Sequence, residues 1–242
     1  MKNHRLGAME AAKSFISKHY PECQGALLAG SVVRGEATVS SDLDIVIFDK
    51  NLPGPYRESL IEFGWPIEVF VHNLESYKQF FKSDCERARP SLPRMTAEGI
   101  ILKDTGILHS IKEEAQELLA AGPEAWPAEI IKMKRYFITD ALDDFIGCSD
   151  REEGLFIAGT LSGLASEFIL RTNRKWTGTS KWTIRAMRQH DEDFARQFAY
   201  AFDSYYRTGS KEQVIGIVDE ILHPFGGRLF EGFSLGKGAE GS

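Results

Sequence analysis

The pattern of apolar residues changes near residue 106, and no other feature of the sequence constrains the fold as strongly. Before this point, short apolar runs alternate with segments of helical spacing, which is typical of a domain that contains both strands and helices. The apolar runs predict strands over 25–29, 43–48, 66–72 and 99–102. Helical spacing predicts helices over 5–19, 58–63 and 77–85.

After residue 106 the spacing of apolar residues is helical almost throughout. Helices are predicted over about 107–120, 127–147, 152–172, 180–189, 191–207 and 211–223. Short loops between long amphipathic helices favour an antiparallel bundle. The sequence therefore predicts an α+β chain with a mixed domain over 1–106, a helical bundle over 107–236 and a disordered tail over 237–242.

The composition excludes several classes of protein. The chain has 242 residues, 43% of them hydrophobic, and a net charge of −6, which is ordinary for a soluble globular protein and not for a disordered or collagen-like one. Its three cysteines lie far apart and form no CxxC pair, which indicates a reducing compartment and no zinc site. The sequence also has no apolar run of membrane-spanning length and no signal-peptide core, so a cytoplasmic location is predicted.

The stretch from Leu28 to Phe48 contains the residues with the clearest chemistry. A predicted strand ends in Gly30-Ser31, and Asp42 and Asp44 follow at the start of the next strand. Side chains two apart on a strand project from the same face, so the two carboxylates are presented together. Such a pair repels unless a cation lies between them, and Mg²⁺ prefers oxygen ligands. Glu68, embedded in the apolar strand over 66–72, could complete a metal cluster.

Each of these features has a plain structural interpretation when it stands alone. Most aspartates at the start of a strand are simply solvated, a Gly-Ser turn is common, and Glu68 could face solvent on an edge strand. Their combination in one order, with both acids entering apolar strands, favours the functional interpretation. The turn at Gly30-Ser31 would let backbone N–H groups and a hydroxyl approach a phosphate.

The segment GSVVRGEATVSSDLDIVIF resembles the motif of the DNA polymerase β-like nucleotidyltransferases, a similarity that covers about residues 25–104. It implies transfer of a nucleoside monophosphate from ATP or another nucleoside triphosphate to a hydroxyl, with release of pyrophosphate and one or two Mg²⁺ ions. Asp42, Asp44 and Glu68 would be the metal ligands and catalytic carboxylates. The residues implied for the triphosphate are Gly30, Ser31, Arg34 and Ser41.

Charge is segregated in the helical half. Between Leu170 and Gln189 there are six basic residues and no acid, namely Arg171, Arg174, Lys175, Lys181, Arg185 and Arg188. Between Asp140 and Glu153 acids outnumber the single arginine. A solvated helix face explains either run. Beside a triphosphate, the basic run would neutralise pyrophosphate, and the acidic run would suit a cationic acceptor.

Two segments of this half resemble aminoglycoside nucleotidyltransferases, which implies an acceptor similar to those antibiotics and a role in antibiotic resistance. The stretch from Thr160 to Met187 is similar to the streptomycin/spectinomycin subgroup and implies that Lys181 reaches the triphosphate. The stretch ITDALDDFIGC is similar to the first bundle helix of kanamycin nucleotidyltransferase, which implies that Asp144 stands at the position of that family's catalytic glutamate. Asp140 and Asp144 of the acidic run are the candidate acceptor contacts. Glu68 is preferred over Asp144 as the catalytic base, because aspartate is shorter than that family's glutamate.

Other functions stay open at this stage. The chain could modify a protein, as antitoxin-type nucleotidyltransferases do, or bind nucleotides without catalysis. Nucleic-acid and membrane partners are not expected, since the net charge is acidic and no long basic stripe is present. The expected partners are a nucleoside triphosphate and a small hydroxylated acceptor, and the expected state is a monomer or homodimer.

Overall fold

The computed structural model describes residues 5–236, and the predicted tail over 237–242 lies outside them. The chain divides into two compact units, Met1–Gly122 and Pro123–Ser242. The first unit contains a sheet with helices on both faces, and the second is helical. The predicted α+β class, with a mixed sheet followed by helices, is therefore confirmed.

The first unit is built on a mixed sheet of five strands in the order β3-β4-β2-β1-β5. The strands are β1 (Gly25–Ala29), β2 (Leu43–Phe48), β3 (Tyr56–Glu62), β4 (Trp65–His72) and β5 (Ile100–Asp104). β2 and β4 run parallel, whereas the other neighbouring pairs are antiparallel. The central strands β1 and β2 are almost entirely buried, which explains their continuous apolar sequences.

Five helices accompany this sheet in the described part of the unit: α1 (Ala8–His19), α2 (Gly30–Val33), α3 (Ser76–Glu86), α4 (Ser91–Glu98) and α5 (Leu108–Ala121). One apolar cluster joins Phe15 and Ile16 of α1 to Ile45 of β2. A second cluster, on the other face of β2, joins Val46 and Phe48 to α3, α4 and α5. Alternate residues of each central strand thus enter different cores.

The segment predicted as a helix over 58–63 is instead most of strand β3, so that prediction is wrong. β3 pairs with β4 across the two-residue turn Phe63-Gly64, in which both residues have positive φ (53° and 77°). A turn with two positive φ angles matches the twist of a hairpin. β3 lies at the sheet edge and is mostly exposed, so its sequence lacks the alternation of a half-buried strand.

The division between the units lies at Gly122, one helix later than the predicted boundary at residue 106. The helix between these positions is α5, whose Leu108, Ile111 and Ala115 are buried in the cluster that contains Val46 and Phe48. Helical spacing identified the helix but not the surface on which it packs. The prediction was therefore wrong in assigning α5 to the second domain.

The second unit contains α6 (Ala128–Gly147), α7 (Arg151–Thr172), α8 (Lys181–His190), α9 (Glu192–Thr208) and α10 (Glu212–Leu222), followed by a 3₁₀ turn over His223–Phe225. Asp150 and Asp191 cap α7 and α9 by accepting hydrogen bonds from backbone N–H groups of the first turn. Buried residues of all five helices form one apolar cluster. The bounds agree with the predicted helices to within one or two residues.

Helix α7 is long and apolar enough to cross a membrane, judged by length and composition alone. Core helices of soluble domains satisfy the same criterion. Leu161, Ala165 and Phe168 of α7 are fully buried in the apolar cluster of the second unit. This packing is that of a central helix in a globular domain.

Lys112 of α5 holds the end of α4, and its loss is expected to destabilise the first unit. Its Nζ donates to the carbonyl oxygens of Thr96 (2.9 Å), Ala97 (2.9 Å) and Gly99 (2.7 Å), which lie where a helix leaves carbonyls without intrahelical partners. Lys112→Met should therefore lower the free energy of unfolding by about 2 kcal/mol. Chemical denaturation would measure this, with exposed Lys82→Met as the control. Equal stability of the two variants would contradict the role of Lys112.

Candidate active site

The three acids predicted as metal ligands converge in the structure. Asp42 immediately precedes β2, Asp44 is its second residue, and Glu68 lies opposite Asp44 on the parallel neighbour β4. One carboxylate oxygen from each residue can be chosen so that all three lie within 4.8 Å of one another. All three residues are partly buried, which limits how far water can screen their mutual repulsion.

The electrostatics of this triad fit a divalent cation. Burial, together with the neighbouring carboxylates of Asp42 and Glu68, raises the pKa of Asp44 to about 6. Arg34 and Arg57 oppose this shift. A half-buried cluster made only of carboxylate oxygens suits a hard cation such as Mg²⁺. An acidic triad with this arrangement can bind a metal.

Gly30 brings the backbone directly against Asp44. It follows β1, has a φ of +77°, and a Cβ atom built on it would lie 1.8 Å from Oδ2 of Asp44. Only glycine combines this conformation with so close an approach. The predicted turn at Gly30-Ser31 is in fact the beginning of the single-turn helix α2.

The two serines predicted for the triphosphate lie together. The Oγ atoms of Ser31 and Ser41 are 3.3 Å apart, and Oγ of Ser41 also accepts a hydrogen bond from the backbone N–H of Thr38 (2.8 Å). The loop before β2 is therefore folded back on the start of α2. The hydroxyl group of Ser41 therefore lies next in sequence to Asp42, the first acid of the triad.

Two arginines act on the triad from opposite sides. Arg34 forms ion pairs with Glu36 and Glu98, each at 3.2 Å, and its charge lowers the pKa of Asp44. Arg57 of β3 forms an ion pair with Glu68, and Oγ of Ser59 also donates to that carboxylate (3.3 Å). Arg57 was not predicted as a site residue, because a helix over most of β3 does not place it beside Glu68.

Arg5 holds the loop that leads into the triad, and it too was missed. Its guanidinium donates to the carbonyl oxygens of Val39 and Ser41, each at 3.3 Å, and stacks on the ring of Trp65 at 3.4 Å. Trp65 in turn donates from Nε1 to the carbonyl oxygen of Leu6 (2.8 Å). The N-terminal segment thus links the start of β4 to the loop before Asp42.

No protein-family model matches the chain, and no curated protein matches it. Among solved structures, it is similar to the crystal structure of a nucleotidyltransferase-like protein from Exiguobacterium sibiricum 255-15. That match has a TM-score of 0.47 and 10% sequence identity, and it covers 90% of this chain and 75% of the other. At this level of similarity, only the arrangement of the site residues bears on function.

The remaining predicted site residues belong to the second unit. Asp140 and Asp144 lie on α6 and are exposed, and Lys181 is the exposed first residue of α8. Their assignment to an acceptor or to a triphosphate stays a prediction.

Arg171 differs from the rest of the basic run, because it is buried, donates to the carbonyl oxygen of Glu124 (2.9 Å) and lies over the ring of Trp126. It stabilises the bundle, and the interpretation of the whole run as a triphosphate contact is wrong for Arg171.

His72, at the end of β4, makes the stability of the first unit depend on pH. Its side chain is buried, and burial lowers its pKa from 6.5 to about 4. Because the unfolded chain takes up this proton at higher pH than the folded one, stability should be lost as the pH falls from about 6.5 to about 4. His72→Phe should flatten this loss by at most about 3 kcal/mol in denaturation series across that pH range. Exposed His109→Gln is the control, and an unchanged slope in His72→Phe would contradict the prediction.

Proposed function

We propose that the chain is a nucleotidyltransferase. It transfers a nucleoside monophosphate, AMP from ATP as the first choice, to a hydroxyl group of a small molecule and releases pyrophosphate. The observation that supports this most is the convergence of Asp42, Asp44 and Glu68 within 4.8 Å, next to a glycine that admits the backbone against Asp44. The fold holds three carboxylates together despite their mutual repulsion. Such a cluster can bind the metal ions that assist reaction of a triphosphate.

Asp42, Asp44 and Glu68 would hold one or two Mg²⁺ ions. The metal would supply neutralisation of the phosphate charge and would lower the pKa of the acceptor hydroxyl. Ser31 and Ser41 would donate hydrogen bonds to the triphosphate, and Arg34 would add positive charge. Gly30 would let the backbone N–H groups at the start of α2 approach the triphosphate.

Glu68 is the proposed base for the acceptor proton. Both hydrogen bonds that it accepts from the described residues, from Arg57 and from Ser59, end on Oε1. Oε2 therefore has capacity to take a proton from a hydroxyl group or to contact the metal. Asp144 is the alternative base, and its position on a different unit makes the two testable separately.

Three exposed residues of the second unit are also proposed to bind substrate. Lys181 would contact the triphosphate, and Asp140 and Asp144 would contact the acceptor, which is consistent with the exposure of all three side chains. An aminoglycoside-like antibiotic is one acceptor class to test, since exposed carboxylates suit cationic molecules. A cytoplasmic location accords with three free cysteines. A monomer or a homodimer is proposed as the active state.

A pyrophosphate-release screen would test the proposed function. The full chain with Mg²⁺ would be offered each nucleoside triphosphate against a panel of polyhydroxylated and aromatic hydroxyl compounds, aminoglycosides included. We expect release that depends on triphosphate, metal and one acceptor class, and that is lost in Asp42→Asn but kept in exposed Asp203→Asn. Labelling of a protein in cell extract without a labelled small molecule would favour a protein acceptor. Metal-dependent ATP binding without release under any condition would contradict catalysis.

A further inference from the structure

A cavity of about 270 Å³ lies in the first unit, between β3, β4, α3 and α4. Alternation along β4 puts Glu68, Phe70 and His72 on one face of the sheet, and the last two of these line the cavity. Tyr56, Phe80 and Met95 also line it. The volume is slightly below the ~300 Å³ at which pockets for drug-sized ligands begin. It therefore suits a single ring system and not a molecule of several rings.

His72 adds its ring to the wall of this cavity, and its Nδ1 atom is buried. The side chain is 4% exposed, and its Nδ1 atom has no hydrogen-bond partner. Its ring packs edge-on against Phe80, with 4.8 Å between the centroids. A buried polar atom without a partner is costly, and buried polar groups are normally paired. Phe70, Phe80 and the imidazole of His72 thus offer aromatic surface against which a planar ring can pack.

Arg57 connects the cavity to the acidic triad. It lines the cavity, lies over the ring of Phe70 at 4.9 Å, and forms the ion pair with Glu68. A ligand in the cavity would therefore have its substituents beside Glu68. In the strand order, β3 and β4 lie on the opposite side of β2 from β1, which leads into Gly30. The cavity is thus on the side of the triad away from the turn proposed to bind phosphate, which fits the acceptor and not the donor.

The charges around the cavity select against polycations. The charged residues in its lining are Arg57, Arg87 and one acid, Asp84, which is paired with Arg87 and accepts from the backbone N–H of Leu92 (2.8 Å). Both arginines are largely exposed. An uncharged or anionic ligand would meet them favourably, whereas an aminoglycoside would bring like charges together.

We propose that this cavity binds a planar aromatic ring of the acceptor, and that the acceptor is uncharged or anionic, in place of the cationic acceptor that Asp140 and Asp144 would suit. That the bound molecule is the acceptor rests on the proposed function. That the cavity binds an aromatic ring does not. The acceptor's hydroxyl oxygen forms the bond to the α-phosphorus, and the bond from that phosphorus to the bridging oxygen breaks. Pyrophosphate leaves with the electron pair, and the hydroxyl proton passes to Oε2 of Glu68.

The probe for this proposal is 4-hydroxybenzoate, titrated into the full chain by calorimetry and by ligand-observed NMR. We expect binding that weakens at least about tenfold in Met95→Phe, because the larger side chain fills the cavity. Met9→Phe is the matched control, since Met9 belongs to α1 and packs on the opposite face of the sheet. The saturated analogue 4-hydroxycyclohexanecarboxylate and kanamycin should each bind at least about tenfold more weakly than 4-hydroxybenzoate.

Several results would overturn the proposal. These are no binding of 4-hydroxybenzoate, equal binding to Met95→Phe, equal binding of the saturated analogue, or displacement by AMP, which would assign the cavity to the donor base. The proposed function fails separately. If 4-hydroxybenzoate binds as expected but no acceptor supports pyrophosphate release, the result supports ring binding in the cavity and contradicts the proposed catalysis. If pyrophosphate release occurs with a non-aromatic acceptor and is unchanged in Met95→Phe, the result supports the proposed catalysis and contradicts ring binding in the cavity.

Discussion

Asp44→Asn is expected to abolish nucleotidyl transfer and, at the same time, to stabilise the metal-free protein. A cation held by the triad would contribute several kcal/mol to the transition state, so loss of one ligand should lower the rate about a thousandfold. The folded-state pKa of Asp44 is raised from 3.8 to about 6. Its contribution to stability is therefore present in acid and is lost as the pH rises through about 6. At about pH 7.5 the amide should raise the free energy of unfolding by about 1–3 kcal/mol.

Both effects can be measured on the same samples. Denaturation in the presence of a chelator reports stability, pyrophosphate release reports transfer, and a thermal shift on addition of Mg²⁺ reports metal binding. Wild type should gain stability from Mg²⁺, and Asp44→Asn should not. Asp203→Asn removes an exposed aspartate of the second unit that pairs with Arg207, and it should change none of the three readouts. A destabilised Asp44→Asn that still responds to Mg²⁺ would contradict the metal assignment.

Gly30→Ala is expected to inactivate the protein by moving the Asp44 carboxylate. The new methyl group would overlap Oδ2 of Asp44, so that side chain must rotate away from the position it shares with Asp42 and Glu68. The positive φ adds a backbone cost of about 1–2 kcal/mol. We expect transfer to fall at least about a hundredfold, together with loss of the stabilisation by Mg²⁺.

A second glycine separates the two effects of this substitution. Gly106 has a φ of +103°, and a Cβ atom there would contact nothing within 4 Å. Gly106→Ala should therefore lose a similar amount of stability but retain transfer and the response to Mg²⁺. Equal loss of activity in both variants would mean that backbone strain, and not the clash with Asp44, is responsible.

The parts of the fold that could be predicted are those in which a local pattern decides the structure. β1 and β2 are buried on both faces and read as continuous apolar runs, and the helices of the second unit bury one face each. The acids of the triad were also predictable, because Asp42 and Asp44 share a strand face and Glu68 interrupts an apolar strand. Their convergence is a property of strand alternation and register.

The parts that could not be predicted depend on contacts distant in sequence. β3 is an exposed edge strand, and the turn that creates it uses Phe63 at positive φ, a residue type that gives no turn signal. Arg57 and Arg5 reach the site only through the pairing of β3 with β4 and through the packing of the N-terminal segment on Trp65. Helix α4 contains Pro93 in its first turn, where proline is tolerated but weakens the helical pattern.

The parallel register of β2 and β4 determines where the chain tolerates changes of length. One residue added inside β4 ahead of Glu68 would turn the strand residues on one side of the insertion to the opposite face of the sheet. If Glu68 is among them, its carboxylate would point into the core packed against α1. Residues 50–55 between β2 and β3 have no such restriction, since they belong to no strand and Lys50, Asn51 and Pro53 are exposed. A reporter peptide or an affinity tag inserted there would leave the three carboxylates of the triad on the same face, whereas a single extra residue within β4 would not.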